Sequence, residues 1–328
     1  MNQKTNILIT CPPMQRSIDR YQSMFLSLSF NPVCPAMTQV LSEDELISLL
    51  PDFDGWIIGD DPATARVFQA ATNGKLKAAV KWGVGVDNVD FEGASACGLN
   101  ISNTPGMFSD EVADIALSYV IALGRQLFVI DEGVKNDRWP KPVGMSLRGK
   151  NAAVVGMGDI GCATAIRLAT IGMNVCGYDP KPKCTKFSVP NISIRSWPDK
   201  LETADFIVLC CSLNSQTHQL INEHTLKQCK RGVRVVNVSR GPLICETALV
   251  AALEDGHVYS AALEVFETEP LPQSSPLRRF ERCIFGSHNA SNTQEAVDRT
   301  SEKAISLLQE QLASNNPTRP DRVSRPDE

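Results

Sequence analysis

The stretch NAAVVGMGDIG, Asn151–Gly161, decides the fold. A short apolar strand runs into Gly156-Met-Gly158-Asp-Ile-Gly161, and an amphipathic helix follows and ends at Gly172. In this G-x-G-x-x-G spacing each glycine has its own task. Gly156 permits a tight turn, Gly158 puts no side chain in front of a diphosphate, and Gly161 lets the helix pack close to the sheet. The helix N-terminus then offers free N–H groups and the positive end of its dipole. The next strand, MNVCGYDP, ends at Asp179, 23 residues past Gly156. A carboxylate there accepts hydrogen bonds from ribose hydroxyls and repels a 2′-phosphate, so the pattern predicts an NAD site rather than an NADP site. Lys181 and Lys183, just beyond, temper that preference.

Outward from this loop the same rhythm repeats. Strands are predicted over ADFIVLCCS (Ala204–Ser212), VRVVNVS (Val233–Ser239), YSAALEV (Tyr259–Val265) and RCIFGS (Arg282–Ser287), with a closing helix over 292–312. Upstream, NILIT (Asn6–Thr10), FDGWIIG (Phe53–Gly59) and LKAAVKWG (Leu76–Gly83) read as strands, with a helix after Pro62. SEDELISLL (Ser42–Leu50) reads as a helix, with Ser42 and Glu45 at capping-box spacing. Strands alternating with helices imply parallel sheets covered on both faces. SDEVADIALSYVIALGRQL (Ser109–Leu127) is a long helix apolar on more than one face, the pattern of a helix buried between domains or subunits. Asp131–Lys150 holds two prolines and reads as a linker or arm, and the tail from Ala313 reads as disordered.

Bulk properties narrow the function. A chain of 328 residues exceeds one ordinary core, so two domains are expected. The net charge of −5, without a basic face, argues against nucleic acid as a partner. No apolar run approaches the roughly 20 residues of a membrane helix, and Met1–Thr10 lacks the pattern of a secretory signal, so no membrane partner is expected. Eleven cysteines without metal spacing read as reduced, cytoplasmic thiols, with no metal site. The adjacent Cys210 and Cys211 suit packing better than redox work.

Six ordered motifs then carry a resemblance: KWGVGVDNVD (Lys81–Asp90), NTPG (Asn103–Gly106), VVGMGDIG, VNVSRGPLI (Val236–Ile244), ALEVFETEPL (Ala262–Leu271) and SHNASNTQEA (Ser287–Ala296). Together they resemble the D-isomer-specific 2-hydroxyacid dehydrogenases, phosphoglycerate dehydrogenases among them. The likeness runs from about Leu76 to Ala296. It implies an α/β protein of two Rossmann-like, doubly wound parallel-sheet domains with a cleft between them. Residues 1–103 plus 291–328 would form the substrate domain and 104–290 the NAD-binding domain. It also implies a homodimer through the 109–150 region.

The resemblance further implies hydride transfer between a D-2-hydroxy acid or its 2-keto acid and NAD. His288 matches the acid/base residue, Glu269 the carboxylate that orients it, and Arg240 the cation that holds the substrate carboxylate and polarises the carbonyl. A neighbouring carboxylate raises an imidazole pKa and fixes its tautomer. The arginine fork grips a carboxylate in a way lysine does not. The backbone at Val84 and Gly85 and the side chain of Lys81 match substrate-binding positions, and Asp60 is expected beside the substrate. Besides Gly156, Gly158, Gly161 and Asp179, the cofactor is expected against Asp159, Ile160, Cys211, Ser212, Thr217, Val238, Glu264 and His288. Glu264 replaces the aspartate that contacts the nicotinamide carboxamide in the family, and Ser287 and Asn289 flank the histidine where apolar residues are usual.

The substrate stays open. Gly59 stands where phosphoglycerate dehydrogenases carry an arginine, and Asp60 and Asp61 follow it. Carboxylates there disfavour a phosphate and suit a substrate with donor groups beyond C2. His218, His224 and His257 read as surface residues. Two other readings remain: a non-catalytic, NAD-sensing corepressor-like protein, and a decarboxylating or phosphorus-oxidising relative on the same residues.

Overall fold

Short apolar runs build two sheets in which every pairing is parallel, as seen in a computed structural model that describes residues 4–37 and 39–314. Most of the predicted disordered tail therefore lies outside the described residues. The first sheet holds β1 (Thr5–Ile9), β2 (Phe30–Val33), β3 (Gly55–Ile58), β4 (Ala78–Lys81) and β5 (Ile101–Asn103), in the order β2-β1-β3-β4-β5. Parallel strands are covered on both faces and so carry continuous apolar sequence. Accordingly, every residue of β3 and β4 is buried. The crossovers run through α1 (Pro12–Arg16), α2 (Gln22–Ser27), α3 (Glu43–Leu49), α4 (Ala65–Thr72) and α5 (Phe91–Ala96). At α3 the capping box between Ser42 and Glu45 is formed as the sequence predicts.

This first unit takes the chain up to Met107 and again from Thr293. The returning segment is α11 (Gln294–Ser314), which packs on β3 and β4. Trp82 Nε1 donates to Ser301 Oγ at 3.1 Å, and Gln311 Nε2 donates to Ser102 Oγ at 2.9 Å.

The loop after β3 corrects one expectation. Asp61 is fully buried and is no partner for a substrate. Its carboxylate accepts from Thr10 Oγ1, from Leu41 N at 2.8 Å and from Gly59 N at 3.2 Å. Burial pushes its pKa up, against those hydrogen bonds. Trp56 Nε1 donates to the same Thr10 hydroxyl at 2.9 Å. Asp61 thus ties β1, β3 and the segment before α3 together. Removing it strands the buried Leu41 N–H, at about 1–3 kcal/mol, and leaves Gly59 N and Thr10 Oγ1 only their longer bonds, to Thr10 Oγ1 at 3.3 Å and to the Ile57 carbonyl at 3.5 Å. Asp61→Ala should therefore lower unfolding stability by about 3 kcal/mol, read from urea-induced unfolding. A change below about 0.5 kcal/mol, the ordinary surface value, would remove this role.

The second unit, Phe108–Asn292, holds seven strands. They are β6 (Asn151–Val155), β7 (Asn174–Tyr178), β8 (Ile192–Arg195), β9 (Phe206–Leu209), β10 (Val233–Asn237), β11 (Val258–Leu263) and β12 (Ile284–Phe285). Their order is β12-β11-β10-β9-β6-β7-β8. From β6 the chain winds outward to β8, then returns to β9 on the other side of β6. The switch point, where such folds bind ligands at the carboxyl ends of the strands, therefore lies between β6 and β9. β8 escapes a pattern search because ISIR is short, sits at the sheet edge and exposes alternate residues.

Helix α6 (Ser109–Arg125) packs across α8 (Asp159–Thr170) and reaches β10 and β11. Gln126, in the left-handed region at φ 55°, ends it. The chain then continues as α7 (Leu127–Lys135), so the start of the predicted arm is helical and only 136–150 lack regular structure. The remaining crossovers are α9 (Glu223–Gln228) and α10 (Glu246–Glu254). No single helix among the described residues is long and apolar enough to cross a membrane.

Candidate active site

The carboxyl ends of β6, β7, β9, β10, β11 and β12 carry nearly all the residues singled out in the second unit. Three glycines shape the loop after β6. A Cβ at Gly156, where φ is +90°, would run into the Cys211 backbone, and one at Gly161 would strike the Gly156 carbonyl. The fold itself demands those two. A Cβ at Gly158 would meet nothing within 4 Å. Packing therefore does not explain Gly158, whereas open space ahead of a helix N-terminus with no side-chain cap fits a diphosphate.

Asp179 closes the loop from the end of β7, accepting from Met157 N at 2.7 Å and Lys181 N at 2.8 Å. Lys183 is paired with Asp159 at 2.7 Å. Cys211 and Ser212 follow β9, and Thr217 Oγ1 donates to the Ser212 carbonyl at 2.7 Å. Val238 is buried beyond the end of β10. Burial pushes the Cys211 thiol up to about 11 and the Cys210 thiol up to about 12. Both stay protonated near neutrality, as packing residues would.

Arg240 leaves the end of β10 in a turn built by Asn237, which is fully buried. Asn237 Nδ2 donates to the Arg240 carbonyl at 2.8 Å, and Asn237 Oδ1 accepts from Ser239 N at 3.1 Å. Ser239 Oγ in turn donates to the Cys211 carbonyl at 2.5 Å. The Arg240 guanidinium donates from Nη1 to the Ser239 carbonyl at 2.9 Å.

Beyond β11, Glu269 accepts from Phe266 N at 3.0 Å through Oε1. Its Oε2 meets His288 Nδ1 at 2.8 Å. One carboxylate oxygen is thus anchored to the backbone and the other orients the imidazole. About a third of each side chain is exposed, so this pair is reachable from solvent. His288 itself sits at φ 55°. That left-handed conformation costs a non-glycine residue about 1 kcal/mol.

Glu264, expected against the nicotinamide carboxamide, is held within the protein from two sides. Only 3% of it is exposed. Its Oε2 accepts from Tyr119 Oη and its Oε1 from Asn289 N. Asn289 turns its side chain to Asn292, whose Nδ2 donates to it at 2.7 Å.

In the first unit, Thr104 Oγ1 accepts from Gly83 N at 2.8 Å and Asn103 Nδ2 donates to the Val84 carbonyl at 3.1 Å. The Gly83–Gly85 loop is so braced by β5. Lys81 is buried, and its ammonium donates to Asp60 at 2.9 Å and to the Gly59 carbonyl at 2.5 Å. His218 and His224 lie exposed as expected, but His257 is only half-exposed, and its Nε2 is buried.

The family profile described as D-isomer specific 2-hydroxyacid dehydrogenase, NAD binding domain, matches residues 117–290. The glyoxylate reductase of Thermofilum pendens is 34% identical over 275 residues, covering 81% of this chain and 80% of that protein. The chain belongs to the D-isomer-specific 2-hydroxyacid dehydrogenase family. It is an NAD-dependent oxidoreductase acting on a CH–OH group, as its motifs imply. Human D-3-phosphoglycerate dehydrogenase is 37% identical over 272 residues, but this chain spans 50% of that protein's length. Among solved structures, a protein from Thermus thermophilus superposes with a TM-score of 0.81 at 28% identity, covering 96% of this chain and 99% of that one.

Two residues of this family member escape a sequence reading. Asn237 gives a faint signal, since an amide just before a turn often bonds to the backbone beyond it. Tyr119 gives none, because it meets Glu264 across 145 positions of chain.

Proposed function

We propose that the enzyme reduces a small 2-keto acid to the D-2-hydroxy acid, and performs the reverse reaction, with His288, Glu269 and Arg240 as its working groups. The observation that carries this is the His288 Nδ1 to Glu269 Oε2 contact of 2.8 Å. With Nδ1 held by the carboxylate, Nε2 is the nitrogen that would move a proton on and off the C2 oxygen. Arg240 would clamp the substrate carboxylate and draw electron density from the carbonyl. The backbone at Val84 and Gly85 is the proposed second grip on that carboxylate.

Gly156, Gly158 and Gly161, with Asp159 and Ile160 at the start of α8, would hold the diphosphate of NAD. Asp179 would take the ribose hydroxyls, and Cys211, Ser212, Thr217 and Val238 would border the rest of the cofactor. Bound NAD supplies or accepts the hydride; the protein supplies the proton and the charge. The Asp159–Lys183 pair offsets part of the positive charge near Asp179, which favours NAD over NADP.

A phosphate-free acid is the better candidate substrate. Lys81 is already engaged by Asp60 and the Gly59 carbonyl, and the similarity to glyoxylate reductase extends over most of that protein. NADH oxidation, followed by absorbance across a panel of phosphorylated and unphosphorylated 2-keto acids, tests this reading. Turnover of the phosphorylated acids alone would overturn the substrate assignment, and no turnover beside tight NADH binding would favour a sensor.

The proposal includes a homodimer in the cytoplasm. The 136–150 arm and α7 expose Leu127, Phe128, Val134, Trp139 and Val143, the last two at 76% and 94%. Clustered exposed apolar side chains mark an interaction surface. Sedimentation should give about twice the chain mass of 35.8 kDa, and Phe128→Glu with Trp139→Glu should halve it; a single-chain mass in the unaltered protein would defeat the proposal. The eleven cysteines all carry free thiols, which suits a reducing compartment.

A further inference from the structure

Two consecutive N–H groups of the His288 loop end on one residue. His288 N donates to the Glu264 carbonyl at 2.8 Å, and Asn289 N donates to Glu264 Oε1. The other carboxylate oxygen is held by the Tyr119 hydroxyl, which α6 brings in from far along the chain. Burial first, and the Glu264 carboxylate second, push the Tyr119 phenol well above its ordinary value, so it remains a donor. The loop also closes down on this contact. Gly286 N donates to the Leu263 carbonyl at 2.8 Å. A Cβ at Gly286 would collide with both the Glu264 carboxylate and the Tyr119 hydroxyl.

We propose that Tyr119 and Glu264 form a latch that positions the His288 loop, with Glu264 acting through the backbone N–H groups it holds. This rests on His288 being the proton donor proposed above. The physical need is plain from the backbone. A histidine in the left-handed region relaxes unless its surroundings hold it there. Glu269 orients the ring through its side-chain Nδ1. Glu264 grips the main chain on either side of the His288 Cα, and Tyr119 fixes where that grip sits. A buried carboxylate also requires donors, and Tyr119 and Asn289 supply them.

Tyr119→Phe removes the anchor with little change of volume. We expect kcat for keto-acid reduction to fall about 10-fold, with NADH affinity, read by fluorescence titration, within about 2-fold. Glu264→Ala should lower kcat about 100-fold. Glu264→Gln should recover most of that loss, because an amide oxygen accepts from Asn289 N and its NH2 donates to the Tyr119 oxygen. A structural readout accompanies these. Spectra of 15N-labelled histidine should show His288, identified through His288→Asn, losing the Nδ1–H tautomer in Tyr119→Phe. Unchanged kcat and unchanged His288 spectra in Tyr119→Phe would overturn the latch. So would a 10-fold loss of NADH affinity in Glu264→Gln with Tyr119→Phe silent, the mark of a carboxamide contact. If the unaltered enzyme reduced no keto acid, the functional reading would fail, while the spectra would still decide the latch.

Discussion

His288→Ala is expected to lower 2-keto acid reduction by about 10²–10⁴-fold, the usual contribution of a positioned acid or base. NADH affinity should change far less, because the positions proposed for the diphosphate and ribose, Gly156–Gly161 and Asp179, follow other strands, β6 and β7. Absorbance kinetics and fluorescence titration separate the two. The direction of the pH effect follows from the proton. Reduction consumes the imidazolium, so its rate falls as pH rises and the ring loses its proton. Oxidation consumes the neutral ring, so its rate rises over the same range. Opposed slopes that both vanish in His288→Ala mark His288 as the group. A flat profile with chemistry rate-limiting, or a variant within 3-fold of the parent, would remove it from the mechanism. Glu269→Gln tests the partner: the amide still fills the space but loses the charge that favours the imidazolium, so reduction should be lost at lower pH than in the parent.

Much of this was legible before any coordinate. The glycine loop, Asp179 and the capping box at Ser42 are local patterns, in which a few residues fix a turn or a helix start. Arg240, Glu269 and His288 were legible only as motif matches; nothing in their spacing says that Glu269 meets His288 Nδ1. What stayed hidden depends on contacts far apart in sequence. Asp60 and Asp61 are neighbours of identical chemistry, yet one is half-exposed and pairs with Lys81 while the other is buried under Thr10 and Leu41. Both lie in the loop after β3, beyond the reach of strand alternation, so which of them meets a polar cluster depends on β1 and on the segment before α3. Glu264 is hidden in the same way. Its place in a motif says nothing of the hydroxyl that α6 brings to its carboxylate from far along the chain. The helical start of the arm was misjudged because the charged run at Asp131–Lys135 hides an i,i+4 pair, which supports a helix instead of ending it.

Arg240→Lys should lower kcat/KM by about 10²–10³-fold, with loss in both terms. The charge is conserved, so the size of the effect measures geometry. A guanidinium holds a carboxylate through two parallel N–H bonds and can keep a further N–H on a developing alkoxide, while an ammonium is a point donor on a flexible stem. The structure fixes the root of the side chain. Asn237 binds the Arg240 carbonyl, and Gly241 packs so close to Phe266 that a Cβ there would collide with its backbone. A lysine on that fixed root cannot move its backbone to recover the lost contacts. KM should rise because the carboxylate grip weakens, and kcat should fall because charge on the C2 oxygen is less well met in the transition state. The contrast with His288→Ala is the informative part. That variant should act mainly on kcat, whereas Arg240→Lys should also weaken inhibition by a carboxylate that cannot be reduced, such as oxamate. Added guanidinium ion should restore part of the activity of Arg240→Ala and none of that of His288→Ala. Parameters within 3-fold of the parent in Arg240→Lys would mean that the substrate carboxylate is held elsewhere, and Val84 and Gly85 would then be the next residues to test.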